Sequence, residues 1–245
     1  MGPSGVGKTT LLRALAGLWP RGSGSIQRFG SLVEAGAGAG DIFFVPQRPY
    51  LPLGSLRAAV LYPSWGHADD ANAADATPGD DGASSSGSPL AVARQMWDTL
   101  LGTGGYTGAL RPPAPPSYAR APPEDARLVA VLEEVGLGAV MDRFASGGAR
   151  VNALDAVTEW STVLSIGEQQ RLSFARVLLA APQIVLMDES TSALDTDNER
   201  VMYGLLRRAE IAYVSVGHRP SLVEFHEQLL QLHPGGAWET RGTRV

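Results

Sequence analysis

The first ten residues, MGPSGVGKTT, constrain the fold of this chain more than any other stretch. Gly2 to Thr9 follow the pattern G-x-x-x-x-G-K-T. Such a loop turns its backbone N–H groups inward around phosphate oxygens, and the helix that it opens adds the positive end of its dipole. The pattern therefore predicts an α/β fold with a parallel sheet and a phosphate site at its edge. Only Met1 precedes the loop, although a β-strand should carry it.

Lys8 is the only lysine among 20 basic residues, and the general preference for arginine is typical of a GC-rich coding sequence. A compact ammonium suits a phosphate pocket, so its retention here favours a working loop over a chance match. Lys8 would neutralise the β- and γ-phosphates, and the Thr9 hydroxyl would complete a Mg²⁺ shell. The residues expected to bind the nucleotide phosphates are Gly2, Pro3, Ser4, Gly5, Val6, Gly7, Lys8, Thr9 and Thr10.

Composition narrows the class of protein. A length of 245 residues suits one sizeable domain, or a domain with a subdomain. A net charge of −5 gives no electrostatic reason to expect a nucleic-acid partner. The absence of cysteine excludes disulfides and thiolate metal sites. No apolar run approaches the ~20 residues that span a bilayer.

Apolar periodicity and breaker residues predict strands that alternate with helices, as in a parallel α/β sheet. The predicted strands are 41–47, 183–188, 212–218 and 228–232. The predicted helices are 9–18, 55–63 with Ser55 as N-cap, 124–135, 167–181 and 198–209.

A sharp change in composition divides the chain. Residues 64–123 are rich in Ala, Gly, Ser, Pro and Asp, so we expect a disordered insertion with a brief helix at 89–101. A tolerated surface loop is favoured over a Pro-rich ligand for an adaptor. The predicted division is 1–63 (first part of the α/β core), 64–123 (insertion), 124–172 (helical subdomain) and 173–245 (second part of the core).

A pair of acids follows the buried strand of residues 184–188. Asp188 and Glu189 would emerge beside the phosphate loop, at the carboxyl edge of the sheet where ligands bind. Asp188 would hold Mg²⁺, and Glu189 would polarise an attacking water. A solvated pair of acids at a strand end is the alternative when the pair is taken alone.

The stretch EWSTVLSIGEQQRLSFARVLLAAPQIVLMDESTSALD resembles the signature, second acidic motif and D-loop of ATP-binding cassette ATPases, in order and spacing. FVPQRPY matches the family's Q-loop at Gln47, and SVGH matches its switch histidine at His218. Alone, a glutamine or a histidine at such a place is more often structural. The resemblance covers nearly everything outside residues 64–123. It implies a P-loop NTPase with a RecA-like parallel sheet, a helical signature subdomain and an incomplete antiparallel β-subdomain.

What the resemblance implies is an ATPase that uses ATP and Mg²⁺ in a head-to-tail dimer. Ser165 and the amides near Gly167 would bind the γ-phosphate of ATP held by the second copy. Gln47 would contact Mg²⁺ and the attacking water, and His218 the γ-phosphate. The resemblance places two further residues across the dimer interface, namely Ser192 and Asp195.

The signature departs from the commoner family pattern at two positions. Ile166 stands where glycine is usual, and Glu168 where glutamine is usual. Relatives with Leu or Ile at the first position occur in subfamily D, so we expect altered rates and a retained site. The stretches PQRPYLPLGSLRAAVLYP and GHRPSLVEFHEQLLQL also resemble subfamily D half-transporters, which include peroxisomal carriers of fatty-acyl compounds, and their bacterial and plastid-type relatives.

The leading hypothesis is the ATPase domain of a membrane transporter with fatty-acyl, other lipophilic or peptide cargo. Its partners would be a second nucleotide-binding domain and a transmembrane domain encoded upstream, on a peroxisomal, plastid or cell membrane. A soluble cassette ATPase acting on ribosomes or DNA ends is a second hypothesis, and an inactive nucleotide-binding remnant is a third.

The family also implies upstream strands, with an aromatic residue that stacks on adenine. We therefore expect the chain to be a C-terminal fragment or a truncated gene model, with poor ATP affinity until upstream sequence is restored.

Overall fold

The structure, a computed structural model, describes residues 1–19, 26, 42–65 and 121–243. The chain divides into two compact units, residues 1–66 with 113–245 and residues 67–112, and all described residues belong to the first. The helix expected at 89–101, and nearly all of the insertion expected at 64–123, lie outside the described residues.

Helices and strands alternate along the described residues as the apolar pattern predicts. The α-helices are α1 (Lys8–Leu15), α2 (Leu56–Leu61), α3 (Asp125–Glu134), α4 (Gly138–Phe144), α5 (Trp160–Val163), α6 (Ile166–Ala180) and α7 (Thr196–Arg208). Short 3₁₀ helices cover Ser146–Gly148, Arg150–Asp155, Pro220–Phe225 and Pro234–Gly236. The strands are β1 (Ile42–Val45), β2 (Gly54–Ser55), β3 (Val157–Thr158), β4 (Ile184–Asp188), β5 (Ala212–Val216), β6 (Gln228–Leu232) and β7 (Trp238–Gly242).

The central sheet is parallel and has the order β1-β4-β5. Val45 of β1 pairs with Met187 of β4, and Asp188 pairs with Val216 of β5. The middle strand is buried along its length apart from Ile184, as a continuous apolar run predicts for a parallel strand covered on both faces. This register brings the carboxyl ends of the three strands to one edge, where Gln47, Glu189 and His218 follow.

Helix α6 lies in the core, and residues 172–179 are buried on every side of the helix. Phe174 and Val177 are buried in the same cluster as Trp160 of α5 and Tyr203 of α7. The helix ends at Ala181, which adopts a left-handed conformation, and Pro182 cannot continue it.

Two antiparallel pairs lie outside the central sheet. The pairing β2–β3 places Ser55 opposite Val157, so the segment after Gln47 is tied to the segment before α6. The pairing β6–β7 forms a hairpin, and the amide of Leu232 donates to the carbonyl of Met1 at 2.9 Å. The sequence did not indicate α4, α5, β3 or β7.

None of the described helices has both the length and the apolar character that crossing a bilayer requires.

Candidate active site

The phosphate loop has a backbone that only glycine adopts easily at several positions. Gly5 and Gly7 have φ of 78° and 100°, and Gly7 is the N-cap of α1. Gly2 has φ of 146°, and a Cβ there would lie 2.4 Å from the carbonyl oxygen of Leu232. A side chain in place of Gly5 or Gly7 would therefore strain the backbone of the loop, and one in place of Gly2 would also collide with Leu232.

Lys8 lies under this loop and is 8% exposed. Its ammonium donates to the carbonyl oxygens of Gly2 at 2.9 Å and Pro3 at 2.8 Å. Among the described residues these are its two partners, so one of its three donors is left to point elsewhere. The Lys8 ammonium is thus held at the loop, where its positive charge can attract an anion.

Thr9 and Asp188 bring the start of α1 to the end of β4. The Thr9 hydroxyl donates to the Asp188 carboxylate at 2.9 Å, and Asp188 is buried. A hydroxyl and a carboxylate oxygen are ligands that suit Mg²⁺, which keeps other positions for water and phosphate oxygens. No cluster of three His, Cys, Asp or Glu side chains able to hold a metal occurs within the described ranges. The donor set thus fits an ion that shares its coordination with a phosphate ligand.

Glu189 occupies the centre of the site. Its amide donates to the carbonyl of Val216 at 2.9 Å, so it still pairs with β5, and its φ of 50° then turns the chain. The carboxylate accepts a hydrogen bond from Gln47 Nε2 at 2.9 Å and lies 3.0 Å from His218 Nε2. A left-handed residue other than glycine costs about 1 kcal/mol or more and concentrates at functional sites. The structure brings these three candidate catalytic residues together.

Ser165 and Glu168 form a capping box at the start of α6. The Glu168 carboxylate accepts from the Ser165 amide and hydroxyl, each at 2.8 Å, and the Ser165 hydroxyl accepts from the Glu168 amide at 3.3 Å. Burial raises the pKa of Glu168, but the Ser165 hydrogen bonds and the charges of Arg143 and Arg171 outweigh it, and the pKa is lowered overall. Glu168 is therefore a carboxylate at neutral pH.

The other signature residues differ in how much space surrounds them. Ile166 is 60% exposed, so a side chain is tolerated at that position. A Cβ at Gly167 would lie 3.2 Å from the carbonyl oxygen of Ala193, a tight contact. Ala193 belongs to the D-loop, residues 190–195. Its close approach favours glycine at position 167, whereas position 166 has room for a side chain.

The D-loop is tied to α6 and to α7. Asp195 is the N-cap of α7, and its hydrogen bonds from Asn198 hold its pKa below the usual range. The buried Gln170 of α6 donates to Ser192 Oγ at 3.2 Å and accepts from the Ala193 amide at 2.9 Å. The role of Gln170 was not predictable from the sequence beyond its place after the signature.

The signature and the phosphate loop are not joined by hydrogen bonds. Among the described residues, none runs between 164–168 and residues 2–10. The residues predicted to bind phosphate therefore fall into two separate groups.

Arg176 of α6 is another residue whose role the sequence did not indicate, although it interrupts an apolar run. Its guanidinium donates to the carbonyls of Ala59 and Tyr50, each at 2.8 Å, and lies over the ring of Tyr62 at 5.3 Å. Burial lowers its pKa to about 10, so it stays charged at neutral pH. It holds the segment after Gln47 against α6.

A parallel three-stranded core, a glycine loop that opens a helix, and a carboxylate pair at the strand ends together define a P-loop ATPase domain.

The chain belongs to the ABC transporter family. The family model described as "ABC transporter" matches residues 1–192. That family couples ATP hydrolysis to transport, and this chain corresponds to its ATPase domain, as the sequence motifs predicted.

Similar proteins point to subfamily D. The chain is 42% identical over 243 residues to "ABC transporter D family member 2, chloroplastic" of Arabidopsis thaliana, with 95% of this chain and 30% of that protein covered. It is 33% identical to "Lysosomal cobalamin transporter ABCD4" of Mus musculus (97% and 30% covered) and 31% identical to "ATP-binding cassette sub-family D member 3" of Rattus norvegicus (97% and 26% covered). The chain thus spans less than a third of the length of these relatives.

The fold is also that of a solved structure described as "Structure of a bacterial Atm1-family ABC exporter with ATP bound". The TM-score is 0.60 at 22% identity, and the match covers 99% of this chain and 32% of the solved chain. At that identity the likeness concerns the fold alone.

Proposed function

We propose that this chain binds Mg-ATP and hydrolyses it as the ATPase domain of a subfamily D-like half-transporter. The observation that carries the proposal is the position of Glu189, whose carboxylate lies 2.9 Å from Gln47 Nε2 and 3.0 Å from His218 Nε2. Thr9 and Asp188 lie hydrogen-bonded beside it, at the end of the phosphate loop.

The phosphate loop and Lys8 bind the nucleotide in this proposal. The backbone N–H groups of residues 4–9 would face the phosphates, and the Lys8 ammonium would offset their charge. Thr9 and Asp188 would hold Mg²⁺, with Gln47 as a further oxygen donor. When bound, the ion supplies positive charge against the β- and γ-phosphate oxygens.

Glu189 acts on the water that attacks the γ-phosphorus. Its carboxylate orients the water and accepts its proton, while the water oxygen bonds to phosphorus and the bond to the bridging oxygen breaks. ADP leaves with the bridging oxygen, and inorganic phosphate is released. Gln47 and His218 hold the carboxylate in place before nucleotide binds, and His218 then contacts the γ-phosphate.

A second copy of the domain completes the site. Ser165 and the amides near Gly167 lie at the N-terminus of α6, a favourable place for an anion. Their separation from the chain's own phosphate loop supports binding to ATP held by a partner. Ser192 and Asp195 would face the same interface.

The membrane partner would dock beside the Q-loop. Leu53 and Val157 are 77% and 74% exposed, and both belong to the segments that the β2–β3 pairing joins. Exposed apolar side chains grouped in this way suit a protein partner. The likeness to subfamily D supports an organelle or cell membrane as location and fatty-acyl, other lipophilic or peptide cargo.

The test is Mg²⁺-dependent phosphate release by the wild-type chain and by Glu189→Gln. The amide keeps the size of the side chain but cannot accept the proton, so turnover should fall about 100-fold or more while bound ATP is retained. Arg200→Ala, at an exposed site, is the matched control and should behave as wild type. Wild-type turnover by Glu189→Gln would contradict the role of Glu189.

A further inference from the structure

A buried carboxylate outside the proposed chemistry joins the two loops that flank Glu189. Glu199 lies in the first turn of α7 and is 0% exposed. One of its oxygens accepts from the Thr191 hydroxyl at 2.7 Å, and the other accepts from the Ser221 hydroxyl at 2.9 Å. Thr191 belongs to the D-loop, and Ser221 to the switch loop, residues 218–221. Each oxygen of Glu199 is thus assigned to a different loop.

Arg219 joins the same two loops from the solvent side. It follows His218 directly, and its guanidinium donates to the carbonyls of Leu194 at 2.5 Å and Ser192 at 2.7 Å. The same guanidinium lies 3.9 Å from the Glu199 carboxylate. The planar fork of arginine fixes both carbonyls relative to the guanidinium, which a flexible ammonium would not do.

A buried carboxylate is costly unless hydrogen bonds and charge offset it, so Glu199 and Arg219 act as a unit. If Glu199 and Arg219 served stability alone, their hydrogen-bond partners could lie anywhere in the fold. Here every partner lies in one of the two loops that border Glu189, and Arg219 is the chain neighbour of His218. The arrangement therefore fixes the relative position of the two loops.

We propose that Arg219 and Glu199 are positioning residues that make the switch loop and the D-loop move as one body. A displacement of His218 by nucleotide then shifts Leu194 and Ser192, and Ser192 belongs to the face proposed to meet the second copy. The link to nucleotide rests on the proposed function, whereas the mechanical coupling of the loops does not.

The experiment compares Arg219→Ala, Arg219→Lys and the control Arg200→Ala in the 245-residue chain. Hydrogen exchange is measured in peptides that cover 190–196 and 218–222, without nucleotide. Arg219→Ala should raise exchange in both peptides about tenfold, because two charge-assisted hydrogen bonds are lost, and Arg219→Lys should lie between it and wild type. Ser221→Ala should also raise exchange in 218–222, because it removes the hydroxyl that donates to Glu199.

Steady-state ATP hydrolysis gives the second readout. Arg219→Ala should lower kcat about tenfold with KM for ATP within about twofold, because Arg219 does not contact the phosphate loop. Exchange equal to that of Arg200→Ala in both peptides would overturn the inference, as would a uniform rise across the chain. If the wild-type chain has no Mg²⁺-dependent hydrolysis, the proposed function fails and the exchange measurement still decides the coupling.

Discussion

At the residue scale, the two departures in the signature have separate structural reasons. Glu168 closes the capping box with Ser165 and pairs with Arg143 at 3.1 Å, so its carboxylate stabilises the first turn of α6. Ile166 points away from the chain and leaves the tight approach of Ala193 to Gly167 untouched. The expectation of a retained site with altered rates stays a prediction.

His226 is a partly buried histidine whose protonation bears on stability. Its Nδ1–H donates to the Leu222 carbonyl at 2.7 Å, so its Nε2 accepts from the Ser215 hydroxyl at 2.7 Å. The ring packs against Tyr203 and Tyr213. Burial, and to a smaller extent the charge of Arg207, lower the pKa of His226 despite the bond to Leu222.

We predict that the free energy of unfolding falls as the pH drops below about 6.5, the ordinary pKa of histidine. Below that pH the unfolded chain binds a proton that the folded His226 resists, so protonation favours unfolding. His226→Gln should flatten the profile between about pH 7.5 and 5.5, measured by urea denaturation. His233→Gln, at an exposed histidine, is the control. An unchanged profile in His226→Gln would show that another group controls this range.

At the scale of elements, the Q-loop segment and the segment before the signature behave as one packed unit. The indole N–H of Trp160 donates to the Gly54 carbonyl at 3.0 Å, and the ring packs edge-on against Phe144. Arg176 and the β2–β3 pair hold the same segment from other sides.

We predict that Trp160→Phe lowers the free energy of unfolding by about 2 kcal/mol, because the Gly54 carbonyl loses its donor and the core loses volume. Trp238→Phe, at an exposed position in β7, should change it by less than about 0.5 kcal/mol. Urea denaturation of both variants provides the comparison. Equal changes in the free energy of unfolding for the two variants would contradict a stabilising role of the Trp160 indole.

The sequence predicted the elements that local signals specify. The apolar run of β4 and the stop at Pro182 were sufficient for the strand and the end of α6, respectively. The two-residue strand at Val157 was not predictable, because its side chain is exposed and its pairing with Ser55 depends on tertiary structure.

The candidate site was predictable to a similar degree. Glu189, Gln47 and His218 each follow a strand of one parallel sheet, so they meet at one edge. Gln170 and Arg219 act mainly through backbone groups of the D-loop, and such contacts leave no pattern in the sequence.

At the scale of the whole molecule, the groups proposed to bind phosphate lie on two segments that no hydrogen bond joins among the described residues. Lys8 belongs to the phosphate loop, whereas Ser165 caps α6. Two copies arranged head to tail would bring each phosphate loop to the signature of the other copy. The chain spans 30% of the length of its D family relative from Arabidopsis thaliana.

The measurement that tests this account most directly is ATP hydrolysis by a mixture of two inactive variants. Lys8→Ala lacks a working phosphate loop and Ser165→Ala a working signature, so each alone should be nearly inactive. In an equal mixture half of the dimers are mixed, and each mixed dimer has one intact site of two, which predicts recovery to about a quarter of wild-type activity. A mixture no more active than its separate components, with both variants folded, would contradict a site shared between two copies.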